Sequence, residues 1–221
     1  MSRSPHTVSD VMTHTVVAVG RGASFKEIVR LMRQWKVSAL PVLEGEGRVV
    51  GVVSEADLLP KEEFRDSDPD RLTQLRRLPD LAKAGALTAG ELMSTPAVTI
   101  QAGATLAEAA RVMALRRVKR LPVVSDGGML EGVISRADLL KVFLRSDEEL
   151  AEEIRRDIVV PLLPASPSSV RVTVSDGRVT LTGRLRDPSL VPVVARLVRA
   201  VEGVVDVDFD PTGGDAVGRS A

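Results

Sequence analysis

Two short motifs carry the side chains that could do chemistry in this chain: Ser54-x-x-Asp57 and Ser135-x-x-Asp138. Each sets a hydroxyl three residues ahead of a carboxylate. At a helix start that spacing is a capping box, in which the Ser oxygen accepts the Asp amide and the Asp carboxylate accepts the Ser amide. The same oxygens are also available to a ligand that docks beside them. Residue types exclude most other chemistries. The chain has no Cys, which removes thiolate catalysis, thiolate metal sites and disulfides. Its two His, His6 and His14, stand apart from any carboxylate cluster at metal-ligand spacing, so no catalytic metal site is expected. There is no glycine-rich phosphate loop and no nucleophile–base arrangement, so no enzyme activity is expected.

The two motifs lie 81 residues apart, and the same offset relates much more of the chain. Gly51-Val52-Val53-Ser54-Glu55-Ala56-Asp57 returns as Gly132-Val133-Ile134-Ser135-Arg136-Ala137-Asp138, and Leu40-Pro41-Val42 returns as Leu121-Pro122-Val123. Residues 8–59 match residues 89–140 at 19 of 52 positions without a gap. A gapless repeat of this quality implies two copies of one structural unit, related by pseudo-two-fold symmetry, with ligand sites in the clefts between them.

Each copy reads as strand, helix, strand, strand, helix, a βαββα unit. Val16–Val19 and Ala97–Ile100 are β-type runs. Ser24 with Glu27, and Thr105 with Glu108, form capping boxes at the first helix. Phe25, Ile28, Leu31 and Met32 mark a buried face, matched by Leu106, Ala109, Val112 and Met113. The Leu-Pro-Val strand suits a sheet edge or strand start. Trp35, at the end of its helix, is expected in core or dimer-interface packing.

Residues 61–88 fall between the copies. Leu72, Leu75, Leu78 and Leu81 recur every third residue, so this linker is either partly helical or a solvated tether. After Phe143 the pattern changes to αββαβ over residues 146–210. Ser146 and Glu149 cap a helix lined by Leu150, Ile154 and Ile158, and Pro161, Pro164 and Pro167 end it. Val170–Val174 and Val179–Leu181 flank an Asp176-Gly177 hairpin turn. Asp187-Pro188 opens a helix with a Leu190, Val194, Leu197, Val201 stripe, and Val204–Phe209 is a last strand. Residues 211–221 are expected to be disordered. The fold class is thus α+β, with domains at 7–60, 89–143 and 146–210.

The totals set bounds. Lys plus Arg and Asp plus Glu number 30 each, and aromatics are 2% of the chain. Zero net charge and few stacking residues argue against nucleic acid. No apolar leader follows Met1, and no run of 18 apolar residues exists, so a cytoplasmic location is expected.

The doubled Leu-Pro-Val strand, the doubled Gly-φ-φ-Ser-x-x-Asp (φ being Val or Ile) and the openings Asp10-Val11-Met12-Thr13-His14 and Glu91-Leu92-Met93-Ser94-Thr95-Pro96 resemble a tandem pair of cystathionine β-synthase (CBS) domains, a Bateman module, over residues 7–143. The segments Asp176-Gly177-x-Val179-x-Leu181-x-Gly183 and Val201-x-Gly203-Val204-x-x-Val207 resemble a BON domain. The CBS resemblance implies an adenosyl ligand: AMP, ADP, ATP or S-adenosylmethionine, with Mg²⁺ a companion of ATP and no obligatory cofactor. It assigns ribose recognition to Asp57 in one cleft and Asp138 in the other, phosphate to Ser54 and Ser135 at a helix N-terminus, and the adenine pocket to Thr15, Val16, Val17, Pro96, Ala97 and Val98. It also implies a homodimer through the helical faces.

The copies differ in charge. Lys119, Arg120 and Arg136 stand where the first copy has Ser38, Ala39 and Glu55, beside Arg116 and Arg117. The second copy's side is therefore expected to attract phosphate more strongly. The BON resemblance implies a phospholipid or protein partner, and Arg178, Arg184 and Arg186 make the hairpin a candidate contact for an anionic surface. The reading that follows is a regulatory sensor. Its alternative is a ligand-free dimerisation scaffold whose BON domain binds phospholipid or a partner protein.

Overall fold

In each copy a Leu-Pro-Val strand is bracketed by two partners, and the resulting sheets match element for element. The computed structural model describes residues 6–65, 77–162, 170–183 and 187–211. In the first copy β1 (Val19–Gly20) runs parallel to β2 (Ala39–Glu44), which pairs antiparallel with β3 (Arg48–Ser54). In the second, β4 (Ile100–Gln101), β5 (Arg120–Val124) and β6 (Leu130–Ser135) repeat that order. Pro41 and Pro122 pair with Val52 and Val133 on one side only; the parallel partner begins one residue later, at Val42 and Val123, so each Pro lies where its strand has a single neighbour.

The opening strands are shorter than the sequence predicts. Only Val19–Gly20 and Ile100–Gln101 pair; Val16, Val17, Ala97 and Val98 come before the strand, outside regular structure. All four are half-buried, and Ala97 and Val98 line a cavity rather than joining the sheet.

The helices form where expected. Ser24 accepts the Glu27 amide and caps Phe25–Trp35; Thr105 accepts the Glu108 amide and caps Leu106–Leu115. Both end in a left-handed residue, Lys36 at φ 52° and Arg117 at φ 54°. Trp35 is half exposed, so it does not belong to the core of this chain.

The leading segment of each copy docks on the other copy. Val8 and Ser9 donate to Ala104 and Ala102 (2.8 and 2.9 Å), and Ala89 and Gly90 donate to Ala23 and Arg21 (2.9 and 2.8 Å). Thr13 bridges Val133, and Ser94 bridges Val52. As a result Leu92 and Met93 are buried in one core with Ile28, Leu40, Val42 and Val53 of the first copy. Close approach requires glycine here: a Cβ on Gly51 would lie 2.4 Å from the Met93 sulfur, and one on Gly132 2.6 Å from the Met12 sulfur.

The linker is helical at both described ends, Pro60–Glu63 and Leu78–Gly85. Arg77 joins them by ion pairs to Glu63 and Asp80 and by stacking its guanidinium 4.9 Å from the Phe64 ring. Lys61 reaches the Ala84 carbonyl (2.9 Å) and lies over the Phe25 ring. Leu72 and Leu75 lie outside the described residues.

Residues from Leu139 onward form a second unit, separate from His6–Asp138. A helix at Asp147–Ile154, capped by Ser146, continues through a wider π turn to Leu162. Strands β7 (Val170–Ser175) and β8 (Arg178–Gly183) form the predicted hairpin, and β9 (Asp206–Asp210) adds parallel to β8. Both turn amides, Asp176 and Gly177, donate to the Asp147 carboxylate (2.8 and 2.9 Å), a tie that the turn signal alone did not reveal. Asp187 accepts the Ser189 amide and hydroxyl, and these bonds hold its carboxyl below the usual range. The helix it opens is a short 3₁₀ turn followed by Val191–Arg199. Val194 and Val198 pack with Val172, Val179 and Leu181 to form this unit's core. Pro164, Pro167, Arg184, Arg186 and residues 212–221 lie outside the described residues.

Candidate functional site

Strand β3 ends at Ser54 and turns directly into a single helical turn, Glu55–Leu58. Its capping box is complete. The Ser54 amide and hydroxyl both donate to Asp57 Oδ2, each at 2.7 Å. This fixes the carboxylate, which is 6% exposed, with Oδ1 pointing away from its own cap. Oδ1 accepts the Ser94 hydroxyl at 3.4 Å and the ammonium of Lys83 from the linker helix. One turn of helix carries little macrodipole, so charge for an anion must come from side chains rather than from the helix end.

Those side chains are close by. A cavity of about 300 Å³ is bounded by Ser54, Glu55 and Asp57 on one side and by the second copy's Pro96, Ala97 and Val98 on another. Arg117, Lys119 and Arg120 complete its wall. Arg120 is steadied by the Ser38 hydroxyl, to which it donates at 2.8 Å. The backbones on either side of this wall follow the repeat: Glu55 donates to the Ser38 carbonyl and Arg136 to the Lys119 carbonyl, both at 3.0 Å. The volume lies at the small end of ligand sites, about 300–1,000 Å³.

Of the residues singled out from sequence, the fold brings Ser54, Asp57, Pro96, Ala97, Val98, Lys119 and Arg120 onto one cavity. The grouping crosses the copies, because Ser94 bridges Val52 and so carries the 96–98 segment over to the first copy's box. Ser135, Asp138, Thr15, Val16, Val17 and Arg136 do not line it. Ser135 and Asp138 form their own capping box, with amide and hydroxyl bonds of 2.8 and 2.7 Å. Thr13 bridges Val133 as Ser94 bridges Val52, so the Thr15–Val17 segment belongs with that second box. Arg136 follows Ser135 and its amide is bonded to the Lys119 carbonyl, but it is not among the residues that line the cavity.

Sequence reasoning missed Lys83 and Ser94. Ser94 was legible in principle as part of the second copy's opening. Lys83 had no signal, since it lies outside the repeat. Among the described residues no group of His, Asp and Glu could hold a metal ion, and no helix is long and apolar enough to cross a membrane.

A CBS domain model matches residues 8–61 and 89–145, and a BON domain model matches residues 146–209. The chain belongs to the CBS-domain family, as a tandem CBS pair with a C-terminal BON domain.

A structure of CBSX2, a CBS domain-containing protein of Arabidopsis thaliana, in complex with AMP is 30% identical with a TM-score of 0.56, covering 63% of this chain and 97% of that one. The CBS domain pair of protein MJ0100, in complex with 5-methylthioadenosine and S-adenosyl-L-methionine, shares the fold at 16% identity and a TM-score of 0.51, covering 63% of this chain and 97% of that one. The uncharacterised protein MJ1426 of Methanocaldococcus jannaschii is 28% identical over 62% of this chain and 90% of its own length. In MJ1404 of the same organism the match, 32% identical over 61% of this chain, spans 31% of that protein.

Proposed function

We propose that this chain is a non-enzymatic regulatory protein whose cavity at Ser54 and Asp57 takes an adenosine phosphate. The observation that carries the reading is the meeting of a fixed acceptor with three cations on one cavity of about 300 Å³. Asp57 is an acceptor for ribose hydroxyls, as acidic residues are in other nucleotide folds. Ala97 and Val98 offer an apolar wall to a base. Arg117, Lys119 and Arg120 attract phosphate and disfavour a sulfonium ligand, which favours AMP, ADP or ATP over S-adenosylmethionine. The AMP complex of CBSX2, at 30% identity, supports the same ligand class.

Occupancy would act by population shift: the ligand contacts both copies, so it favours whichever packing of the two presents both walls at once. The BON domain would relay or localise that signal, and exposed apolar residues such as Trp35 and Val29 are consistent with a homodimer.

Calorimetric titration of the full chain with AMP, ADP, ATP, NAD and S-adenosylmethionine, together with Asp57→Ala and Asp138→Ala, tests this. Binding of an adenosine phosphate that is lost in Asp57→Ala supports the reading. No binding by any of the five overturns it in favour of the ligand-free scaffold.

A further inference from the structure

Asp57 is a buried carboxylate whose four hydrogen bonds are all made inside the protein. Oδ2 is spent on Ser54. Oδ1, the oxygen left for a ligand, is held by the Lys83 ammonium, with Ser94 a long second donor at 3.4 Å. Lys83 is itself three-quarters buried, its side chain 22% exposed. It is delivered by a braced element: the helix Leu78–Gly85 is tied by Lys61 to the Ala84 carbonyl and by Arg77 to Glu63 and Asp80.

We propose that Lys83 is a specificity-determining residue of the Asp57 cleft, selecting phosphorylated over neutral nucleosides; this rests on the reading of that cleft given above. A ribose hydroxyl that takes the strongly held site on Oδ1 displaces the Lys83 ammonium from it. The displaced ammonium then loses its counter-charge, and burial makes an unpaired ammonium costly. A ligand phosphate supplies a new one, within the sweep of a flexible four-carbon stem. A neutral nucleoside such as adenosine supplies none, so the exchange works against it. The same exchange unties the linker helix from Asp57, which makes residues 78–85 the part of the first unit that registers occupancy.

The test is calorimetric titration of full-length wild type, Lys83→Met and Lys83→Arg with AMP and with adenosine. Wild type should prefer AMP. Lys83→Met should raise adenosine affinity by about tenfold, the weight of one charge-assisted hydrogen bond no longer displaced. Its AMP affinity should change less, because the lost competitor is also a lost phosphate partner. Lys83→Arg, which keeps the ion pair, should retain the wild-type preference.

Equal shifts for both ligands, no shift, or weaker adenosine binding in Lys83→Met would overturn the proposal. Binding of neither ligand by wild type and variants alike would instead remove the cleft reading beneath it. Hydrogen exchange on the wild type needs no variant: AMP should speed amide exchange at residues 78–85, and slower exchange there would overturn the proposal.

Discussion

At Ser54–Asp57 the carboxylate meets an ammonium from the linker, and the facing wall carries Arg117, Lys119 and Arg120. At the matching place 81 residues on, the Ser135–Asp138 box has the same internal bonds, but the positions that correspond to those three cations are Lys36, Ser38 and Ala39. The frame around both is nearly identical. Each leading segment crosses to the other copy, each Met packs on the other copy's Gly, and each first helix ends in a left-handed residue. That Lys36 adopts the same φ as Arg117 matters. The left-handed turn is how this repeat stops its helix, so strain at Arg117 is not a mark of function. The first copy builds the same strand start with Ser38 and Ala39, so the frame does not require the charges of Lys119 and Arg120.

The largest effect should come from the carboxylates themselves. Asp57→Ala is expected to lower adenosine phosphate affinity by more than about 100-fold, the loss of a charge-assisted acceptor in a buried site. Asp138→Ala should change it by less than about threefold. Titration calorimetry on both variants reads this directly. Equal losses would mean that the two clefts are equivalent and that the cation asymmetry does not govern binding.

The symmetric frame makes the opposite kind of prediction. Gly51→Ala pushes a methyl group onto buried Met93, and Gly132→Ala pushes one onto half-buried Met12 and the Thr13 carbonyl. Both should destabilise by similar amounts, about 1–3 kcal/mol, the range for overpacking. Urea denaturation monitored through the far-ultraviolet signal checks it. A large difference between the two would show that the copies are not equal in packing either.

How much of this could be read from the chain depends on what the repeat encodes. The offset of 81 identified the doubled unit, the capping boxes at Ser24 and Thr105, and the Ser-x-x-Asp pairs, because each depends on local spacing. It could not show the exchange of leading segments. Met12 and Met93 align with each other in sequence, while in space each packs on the Gly of the opposite copy. That is why Pro96–Val98 and Ser54–Asp57 meet. Lys83 was illegible for a different reason. It lies outside the repeat, and a lone Lys in a polar linker carries no sign of where its helix will dock. The hairpin tie through Asp147 was hidden in the same way, since it joins a helix start to a turn 30 residues on.

A smaller effect should separate the walls. Lys119→Ala should weaken AMP binding by about tenfold at low salt, one charged phosphate contact. Lys36→Ala, the sequence counterpart of Arg117, should leave it unchanged. Raising the salt concentration should narrow the gap between wild type and Lys119→Ala, because the contact is partly exposed and screened. A salt-independent gap would mean that Lys119 acts through packing.

The smallest effect is a shared one and falls at acid pH. Asp10 takes the Thr7 amide and hydroxyl, and its counterpart Glu91 takes the Leu87 and Thr88 amides. These bonds hold both carboxyls below their ordinary values. A depressed folded pKa contributes stability that is present above the unfolded value and is lost as pH falls through the folded one. The loss should therefore set in below about pH 4. Both groups are exposed, so each contribution is small. Asp10→Asn and Glu91→Gln should each flatten the acid limb of a denaturation-midpoint profile to the same modest extent and leave it unchanged at pH 7 relative to pH 6. Because the two caps stand at equivalent places in the frame, unequal flattening would show that the two copies' leading segments differ in how firmly they are docked, and the asymmetry would then extend from the clefts into the frame.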